Sequence, residues 1–288
     1  MRPSKQKKAF HKIVKAALKE DIGRGDITTD AIVAPNVKAL GVIFPKEDGI
    51  LCGIEIAQMV FQQVDDSIDF QIKGHDGEEF APGVTLATVV GSAASCLKAE
   101  RTALNFLQHL SGIATLTKRF VKASEGTIKI LDTRKTLPGL RMVEKYAVRT
   151  GGGYNHRFGL YDMVLIKDNH IEIAGSLTQA VTAVRQHKKR AFIEVEVKTL
   201  NELHEALALK VNRIMLDNMN PTQTKQAVQI IRERDRKVEI ELSGGVTQSN
   251  ILDYVDCGVD FVSVGALTHS APAIDITMHL KSLGHGES

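Results

Sequence analysis

The chain has 288 residues, of which 43% are apolar and 25% charged, a composition that is ordinary for a globular protein and excludes disorder as its main property. The formal net charge of +3 is too small to indicate nucleic-acid binding by itself. Three dispersed cysteines without CxxC spacing predict reduced thiols and no zinc site. Apolar runs long enough for a signal peptide or a membrane helix are missing from the sequence, so we expect a cytoplasmic location.

An amphipathic helix is predicted near the start of the chain. Phe10, Ile13, Val14 and Leu18 fall on one helical face, and lysines cover much of the remainder. A lysine-rich face could bind nucleic acid or an anionic membrane. Because no aromatic residues or glycines are interleaved with the lysines, the sequence favours a solvated helix face.

The next segment, residues 37–91, predicts an α+β unit with an antiparallel sheet, since short apolar runs alternate with turn residues. The predicted strands are Val37–Phe44, Gly49–Cys52, Ser67–Ile72 and Leu86–Val90, and the predicted helix is Glu55–Val64. A long helix follows over Ser95–Ser124, with a break expected near Gly112.

Beyond residue 124, strand-like and helical stretches alternate, which predicts a parallel sheet with crossover helices. The predicted strands are Ile128–Leu131, Asp162–Ile166, Phe192–Val197, Arg213–Leu216, Val238–Leu242 and Phe261–Val264. The predicted helices are Leu177–His187, Leu200–Leu209, Pro221–Arg232 and Gln248–Cys257. Because these strands are fewer than a complete barrel holds, we predict an incomplete α/β (TIM-like) barrel, with an open doubly wound sheet as the alternative.

The predicted domain organisation is an N-terminal α+β sandwich over residues 1–110 and an α/β-barrel domain over residues 111–271. Residues 272–288 are predicted to form a C-terminal helix that packs on the first domain.

Polar residues follow the predicted strands at their carboxyl ends, where barrel enzymes keep their catalytic groups. In strand order they are Asp132, Arg134 and Lys135; Lys167, Asp168, Asn169 and His170; Glu194 and Glu196; Asp217 and Asn218; Ser243, Gly244 and Gly245; and Gly265. This pattern predicts a single active site at one edge of the sheet.

The candidate site is rich in cations, namely Arg134, Lys135, His156, Arg157 and Lys167, with Arg101 and Arg141 as further candidates. Buried cations without partners are costly, so such a pocket indicates an anionic ligand. Arginine suits carboxylate and phosphate because its guanidinium binds them in a bidentate manner.

The glycines and carboxylates of the site leave alternatives open. Ser243, Gly244 and Gly245, together with Gly265, are typical of a phosphate-binding turn, although glycines also serve simply to permit tight turns. Glu196 and Asp217 could neutralise the pocket, hold Mg²⁺ or stabilise positive charge on a reacting carbon; a simple Glu–Lys pair is the remaining interpretation.

Taken together, these residues resemble one family, quinolinate phosphoribosyltransferase. The matching segments, in the family's order, are Gly25–Thr29, Glu100–Asn105, Asp132–Thr136, Gly151–Arg157, Ile166–His170, Glu194–Val197, Leu216–Asn218, Ser243–Gly245 and Ser263–Gly265. They extend over most of the chain and form a very specific set.

The resemblance implies an N-terminal sandwich, an incomplete barrel and Mg²⁺ as cofactor. It implies a reaction of quinolinate with phosphoribosyl pyrophosphate that gives nicotinate mononucleotide, pyrophosphate and CO₂, a step of NAD biosynthesis. The implied carboxylate-binding residues are Arg134, His156, Arg157 and Lys167. The phosphates would face Lys135 and Lys167, and the ribose and metal would face Glu196 and Asp217. The 5-phosphate would be bound by Ser243, Gly244, Gly245 and Gly265. Arg101 would reach the neighbouring subunit's site, which implies a homodimer or a larger assembly of dimers.

Two other functions are kept as alternatives. Lys167 at a strand end could form a Schiff base, as in a barrel aldolase whose desolvated lysine attacks a carbonyl. A non-catalytic barrel could instead bind phosphorylated ligands, and it would have no use for the pair of acidic residues.

Overall fold

The chain divides into two compact units, neither of which is continuous in sequence. One contains the residues up to Lys118, Thr136–Gly152 and the residues from Thr268 onward, and the other contains Arg119–Lys135 and Gly153–Leu267. The computed structural model describes residues 3–285, with side chains for residues 6–283. Among the helices in this range, none has both the length and the apolar character needed to cross a membrane.

The first unit contains the predicted antiparallel sheet. Its strands are β1 (Val37–Pro45), β2 (Gly49–Ile50), β3 (Asp69–Ile72), β4 (Glu79–Phe80), β5 (Ala87–Ser92) and β12 (Ile276–His285). Its helices are α1 (Pro3–Ile22), α2 (Thr29–Ile32), α3 (Ile54–Val64) and α5 (Arg141–Thr150), and α4 (Ala93–Ala123) continues into the second unit. Four strands pair in the order β12-β1-β5-β3, and β2 pairs with β4.

The predicted C-terminal helix is wrong, because the described part of residues 272–288 contains the strand β12 instead. Ile274, Ile276 and Met278 are buried alternately with more exposed neighbours, which is the period of a strand. β12 pairs antiparallel with β1, from Ile276 opposite Pro45 onward. The segment therefore completes the first unit's sheet, and residues 286–288 lie outside the described residues.

Helix α4 runs without the break expected near Gly112. A Cβ on Gly112 would lie 2.1 Å from the carbonyl oxygen of Pro272, so glycine allows this backbone to approach the helix. The next residue back, Ser111, accepts a hydrogen bond from the amide of Cys52 at 3.1 Å. Glycine here serves close packing within the first unit.

The second unit is a six-stranded parallel sheet with helices between the strands. The strands are β6 (Lys129–Leu131), β7 (Val164–Ile166), β8 (Ile193–Val197), β9 (Arg213–Asp217), β10 (Glu239–Ser243) and β11 (Phe261–Ser263). The helices are α6 (Asp168–Ala174), α7 (Leu177–His187), α8 (Leu200–Ala208), α9 (Pro221–Arg234) and α10 (Ala266–His269), with a 3₁₀ helix at Ile251–Cys257. The α/β class is confirmed, and the last predicted helix is a shorter 3₁₀ helix.

The strand order distinguishes the two predicted architectures. The order is β6-β11-β10-β9-β8-β7, so the strands from β7 to β11 lie side by side in chain order, and the first strand, β6, pairs with the last, β11. A doubly wound sheet would instead reverse direction at a switch point. This cyclic order is that of a barrel, whereas closure of the sheet into a barrel stays a prediction.

Side-chain alternation decides which residues face the ligand side of the sheet. In β8, Ile193, Val195 and Val197 lie on one face, and Glu194 and Glu196 on the other. The strand is buried throughout, so its two carboxylates are held inside the unit. Neighbouring strands align these rows, because Glu196 pairs in register with Met215 and Asp217 with Ser243.

The sheet is strongly curved. His156 is tied to the end of β6, since its amide donates to Asp132 Oδ1 at 2.9 Å, yet its ring lies 3.1 Å from Glu194 on β8. In a flat sheet, β6 and β8 would be about 19 Å apart at the usual spacing of neighbouring strands. The curvature brings residues from distant strands to one place.

Candidate active site

A cavity of about 320 Å³ lies at the carboxyl ends of the parallel strands. Its wall is formed by Thr133, Arg134, Lys135, His156, Arg157, Leu165, Lys167, Met215, Glu241, Ser243 and Ser263. The wall thus holds four permanently cationic side chains and one carboxylate, a balance that suits an anionic ligand. Of the predicted strand-end residues, Arg134, Lys135, Lys167 and Ser243 line this cavity, and the predicted loop residues His156 and Arg157 line it too.

The cations are held by local backbone structure. Lys135 follows a turn in which its amide donates to Thr133 Oγ1 at 3.0 Å. Arg157 donates from a guanidinium nitrogen to the carbonyl of Met163 at 3.2 Å, which fixes its side chain. Burial and the charge of Arg134 lower the pKa of Arg157, so these two arginines repel each other electrostatically.

Lys167 and Glu196 form an ion pair at the mouth of the cavity. Lys167 follows β7, and its Nζ donates to Glu196 Oε2 at 2.7 Å. This is the simple Glu–Lys pair that was one interpretation of Glu196. A second lysine, Lys198, pairs with Asp168 at 2.7 Å, and the charges of Asp217 and Glu196 help to raise its pKa. Lys198 is therefore a further cation near the acidic residues, which the sequence analysis missed.

Asp217 is oriented by the residue that follows it. The side-chain amide of Asn218 donates from Nδ2 to Asp217 Oδ2 at 3.0 Å, and Asn218 itself adopts a left-handed backbone with φ of 55°. A Cβ on Gly244 would lie 2.2 Å from Asn218 Oδ1, and Gly244 has φ of 90°. Gly244 is thus required by the turn and by Asn218, so its role in phosphate binding stays a prediction.

Beneath the cavity, three buried groups meet. His156 Nε2 lies 3.1 Å from Glu194 Oε2 on β8 and 3.4 Å from Glu241 Oε2 on β10. On β9, which lies between these strands, Arg213 contacts Glu241 at 3.1 Å and Glu239 at 2.6 Å. We call His156, Glu194, Glu241 and Arg213 the buried cluster.

The buried cluster favours uptake of a proton. Burial lowers the pKa of His156, but the two glutamates outweigh it and raise that pKa to about 9. Burial raises the pKa of Glu194 to about 7. The Arg157 amide donates to His156 Nδ1 at 2.7 Å, which requires that nitrogen to be unprotonated. We therefore place the ring's proton on Nε2 and the additional proton on the side of Glu194.

Two sets of side chains can be compared as metal sites. The ligand atoms of His156, Glu194 and Glu241 lie within 4.8 Å of one another, but Arg213 already places a positive charge on Glu241 and opposes a metal ion there. Glu196 and Asp217 are carboxylates on neighbouring strands at the mouth, and hard oxygen donors are the ligands that Mg²⁺ prefers. The donor chemistry of Glu196 and Asp217 fits Mg²⁺, although an ion bound there would share Glu196 with Lys167.

The remaining predicted residues lie away from the cavity wall or in the first unit. Arg101, on α4, and Arg141, which begins α5, belong to the first unit. Gly245 and Gly265 follow β10 and β11, and their predicted contact with phosphate is untested.

Glu241 and Ser263 are cavity residues that the sequence analysis missed. The run Glu239-Ile240-Glu241-Leu242-Ser243 has strict alternation, so Glu241 shares a face with the predicted Ser243. This alternation is the sequence pattern that could have identified Glu241. A glutamate completely buried in a parallel strand needs partners, and Glu241 has them in His156 and Arg213.

Comparisons with known proteins show the family of the chain. The model of the C-terminal domain of quinolinate phosphoribosyl transferase matches residues 113–279, and that of the N-terminal domain matches residues 26–111. A Methanocaldococcus jannaschii protein named "Probable nicotinate-nucleotide pyrophosphorylase [carboxylating]" is 46% identical and covers 93% of this chain and 96% of its own. The Mycobacterium leprae nicotinate-nucleotide pyrophosphorylase (carboxylating) is 44% identical, with 93% and 95% covered.

A solved structure supports the same relationship. The crystal structure of NadC from Streptococcus pyogenes matches with a TM-score of 0.89 and 44% identity, and covers 94% of this chain and 95% of its own. Both domain models match in the family's order, and together they extend over most of the sequence. The chain therefore belongs to the quinolinate phosphoribosyltransferase family.

Proposed function

We propose that this chain transfers the phosphoribosyl group of phosphoribosyl pyrophosphate to quinolinate, with loss of CO₂, to form nicotinate mononucleotide and pyrophosphate. The observation that carries the proposal is the composition of the cavity wall, which holds the cations Arg134, Lys135, Arg157 and Lys167 but only one carboxylate, that of Glu241. Quinolinate is a dicarboxylate, and its partner substrate carries several phosphates. Both ligands would offset the mutual repulsion of the cations.

The carboxylates of quinolinate would bind Arg134, Arg157 and Lys167, with His156 in the same wall. Lys135 and Lys167 would face the phosphates, while Ser243, Gly244, Gly245 and Gly265 would bind the 5-phosphate. Bidentate binding by arginine fixes the plane of the pyridine ring, so that its nitrogen can be aimed at the anomeric carbon.

Cleavage of the bond from ribose to pyrophosphate builds positive charge at the anomeric carbon. Glu196 or Asp217 would stabilise that charge, since preorganised groups aimed at developing charge contribute strongly to catalysis. Asn218 holds the Asp217 carboxylate in place for this role. Once the ribose is attached, the ring nitrogen is cationic and stabilises the electron pair that CO₂ leaves on the adjacent carbon.

Glu196 and Asp217 would also hold Mg²⁺, directly or through water. The ion would supply positive charge to the departing pyrophosphate. Lys167, already bonded to Glu196, would be shared between this acidic pair and the substrate.

We further propose that the protein acts in the cytoplasm as a homodimer or a larger assembly of dimers, with Arg101 reaching the neighbouring subunit's site. Arg101 is exposed on α4, as a residue that serves another subunit must be in the isolated chain.

The activity is tested by incubating the protein with quinolinate, phosphoribosyl pyrophosphate and Mg²⁺. Release of CO₂ together with nicotinate mononucleotide is expected, and absence of both products would overturn the proposal. Nicotinate in place of quinolinate is the matched control. It lacks the second carboxylate with which the extra cations would pair, so it should react poorly.

A further inference from the structure

The ring of His156 is engaged on both sides within the protein. Its Nε2 faces Glu194 and Glu241, and its Nδ1 accepts the amide hydrogen of Arg157. The side chain is only 6% exposed. Both ring nitrogens therefore have a partner within the protein, a hydrogen bond at Nδ1 and a close ion pair without hydrogen-bond geometry at Nε2.

We propose that Glu194 and Glu241 are positioning residues for the quinolinate site, which act through His156 to fix the main chain of Arg157. The chain of contacts is continuous: the glutamates hold Nε2, the ring presents Nδ1, and Nδ1 receives the Arg157 amide. The inference rests on the proposed binding of quinolinate in this cavity.

Arg157 gains a defined position from this arrangement. Its amide is bonded to His156 and its guanidinium to the carbonyl of Met163, so both ends of the residue are anchored. Both contacts are local to the loop between α5 and β7. The glutamates tie this loop to β8 and β10, the rigid part of the unit.

The charges around His156 support a positioning role. The charged groups packed against it are Glu194 from β8, Glu241 from β10, Asp132 after β6, and the neighbouring Arg157; Arg134, Lys135 and Lys167 share its cavity, and Arg213 on β9 contacts Glu241. A bare carboxylate in the wall of an anion-binding cavity would repel the ligand. Arg213 and the Nε2–H of His156 both face Glu241 and offset that repulsion.

The test compares Glu241→Gln with Glu239→Gln. Both residues lie on the same face of β10 and both contact Arg213, but the Glu239 carboxylate is 40% exposed and only Glu241 contacts His156. Loss of the carboxylate at position 241 should raise the KM for quinolinate about tenfold, with kcat and the KM for phosphoribosyl pyrophosphate within about twofold of the parent. Glu239→Gln should leave all three parameters unchanged.

The alternative role of Glu241 predicts a change of the opposite sign in the KM for quinolinate. If Glu241 acted only as a repulsive charge in the wall, its removal would lower the KM for quinolinate. That result, or an unchanged KM in a folded variant, would overturn the positioning role. Arg157→Ala separates the two proposals: if it too leaves the KM for quinolinate unchanged, this cavity is not the quinolinate site and the proposed function of the cavity fails.

A spectroscopic measurement on the parent protein does not depend on the variants folding. Nitrogen NMR of histidine-labelled enzyme, assigned with His156→Gln, should show His156 with a protonated Nε2 and an unprotonated Nδ1. A ring protonated on Nδ1, alone or together with Nε2, would contradict the arrangement, because the Arg157 amide could then not bond to it.

Discussion

Lys167 Nζ donates a hydrogen bond to Glu196 Oε2 across the mouth of the cavity at 2.7 Å. The Lys167 side chain is 45% exposed, and its Nζ is engaged by this carboxylate. An aldolase requires the opposite, a desolvated lysine whose neutral amine attacks a carbonyl. We therefore expect no covalent adduct at Lys167 when the protein is treated with borohydride and a keto substrate. Mass spectrometry of the digested protein checks this, and an adduct at Lys167 would restore the aldolase alternative.

Arg134→Ala should weaken quinolinate binding. The substitution removes a charged partner and leaves a buried carboxylate of the ligand unpaired, which typically costs roughly 2–4 kcal/mol. Equilibrium titration with quinolinate measures the loss directly. Arg190→Ala is the control, since Arg190 is an exposed residue of the second unit outside the cavity wall. Near-parental affinity of Arg134→Ala would remove Arg134 from the proposed site.

Sharing of Arg101 between subunits can be tested by complementation. Arg101→Ala and Lys167→Met should each be inactive alone, because each removes one cation from every site. In mixed dimers, one of the two sites would carry neither change, so full exchange should restore about a quarter of the parental activity. If well-exchanged mixtures stay inactive, Arg101 does not serve a neighbouring subunit.

The residues at the active-site edge could be predicted because each prediction depends only on a short stretch of sequence. Each strand is a short apolar run, and parallel strands place their carboxyl ends at one edge, so the residues that follow them must gather there. Arg134, Lys135, Lys167 and Ser243 were found in this way and do line one cavity. His156 and Arg157 were found through the glycine-rich loop that precedes them.

The predictions that were wrong or missing concern residues whose structure depends on contacts with residues far away in the sequence. Residues 276–285 become a strand because β1, more than two hundred residues earlier, offers a free edge. Their alternation was visible, but it spans few residues and competed with the expectation of a helix. Glu241 was missed for a related reason. A glutamate inside a buried strand is tolerated only because His156 and Arg213 approach it from other elements.

Gly244→Ala should impair both stability and activity. At φ of 90° an alanine is strained, and its Cβ would displace Asn218 from the Asp217 carboxylate. Such a backbone conformation costs a non-glycine residue about 1–3 kcal/mol. Gly245→Ala is the matched control, since φ is 64° but nothing lies within 4 Å of its added Cβ. Thermal unfolding and kcat should both fall further for Gly244→Ala; equal effects at the two positions would dismiss the contact with Asn218.

The buried cluster predicts how stability depends on pH. Glu194 carries the additional proton of the cluster: burial raises its folded pKa to about 7 from 4.5, so this carboxyl group favours proton uptake on folding. A raised folded pKa stabilises the protein below the unfolded pKa, and this stabilisation is lost as pH rises through the folded pKa. The free energy of unfolding should therefore fall between about pH 4.5 and 7. Urea titrations across this range measure it. Because Gln cannot titrate, Glu194→Gln should show a flatter profile between pH 4.5 and 7, and an equally steep one would assign the dependence to groups outside the cluster.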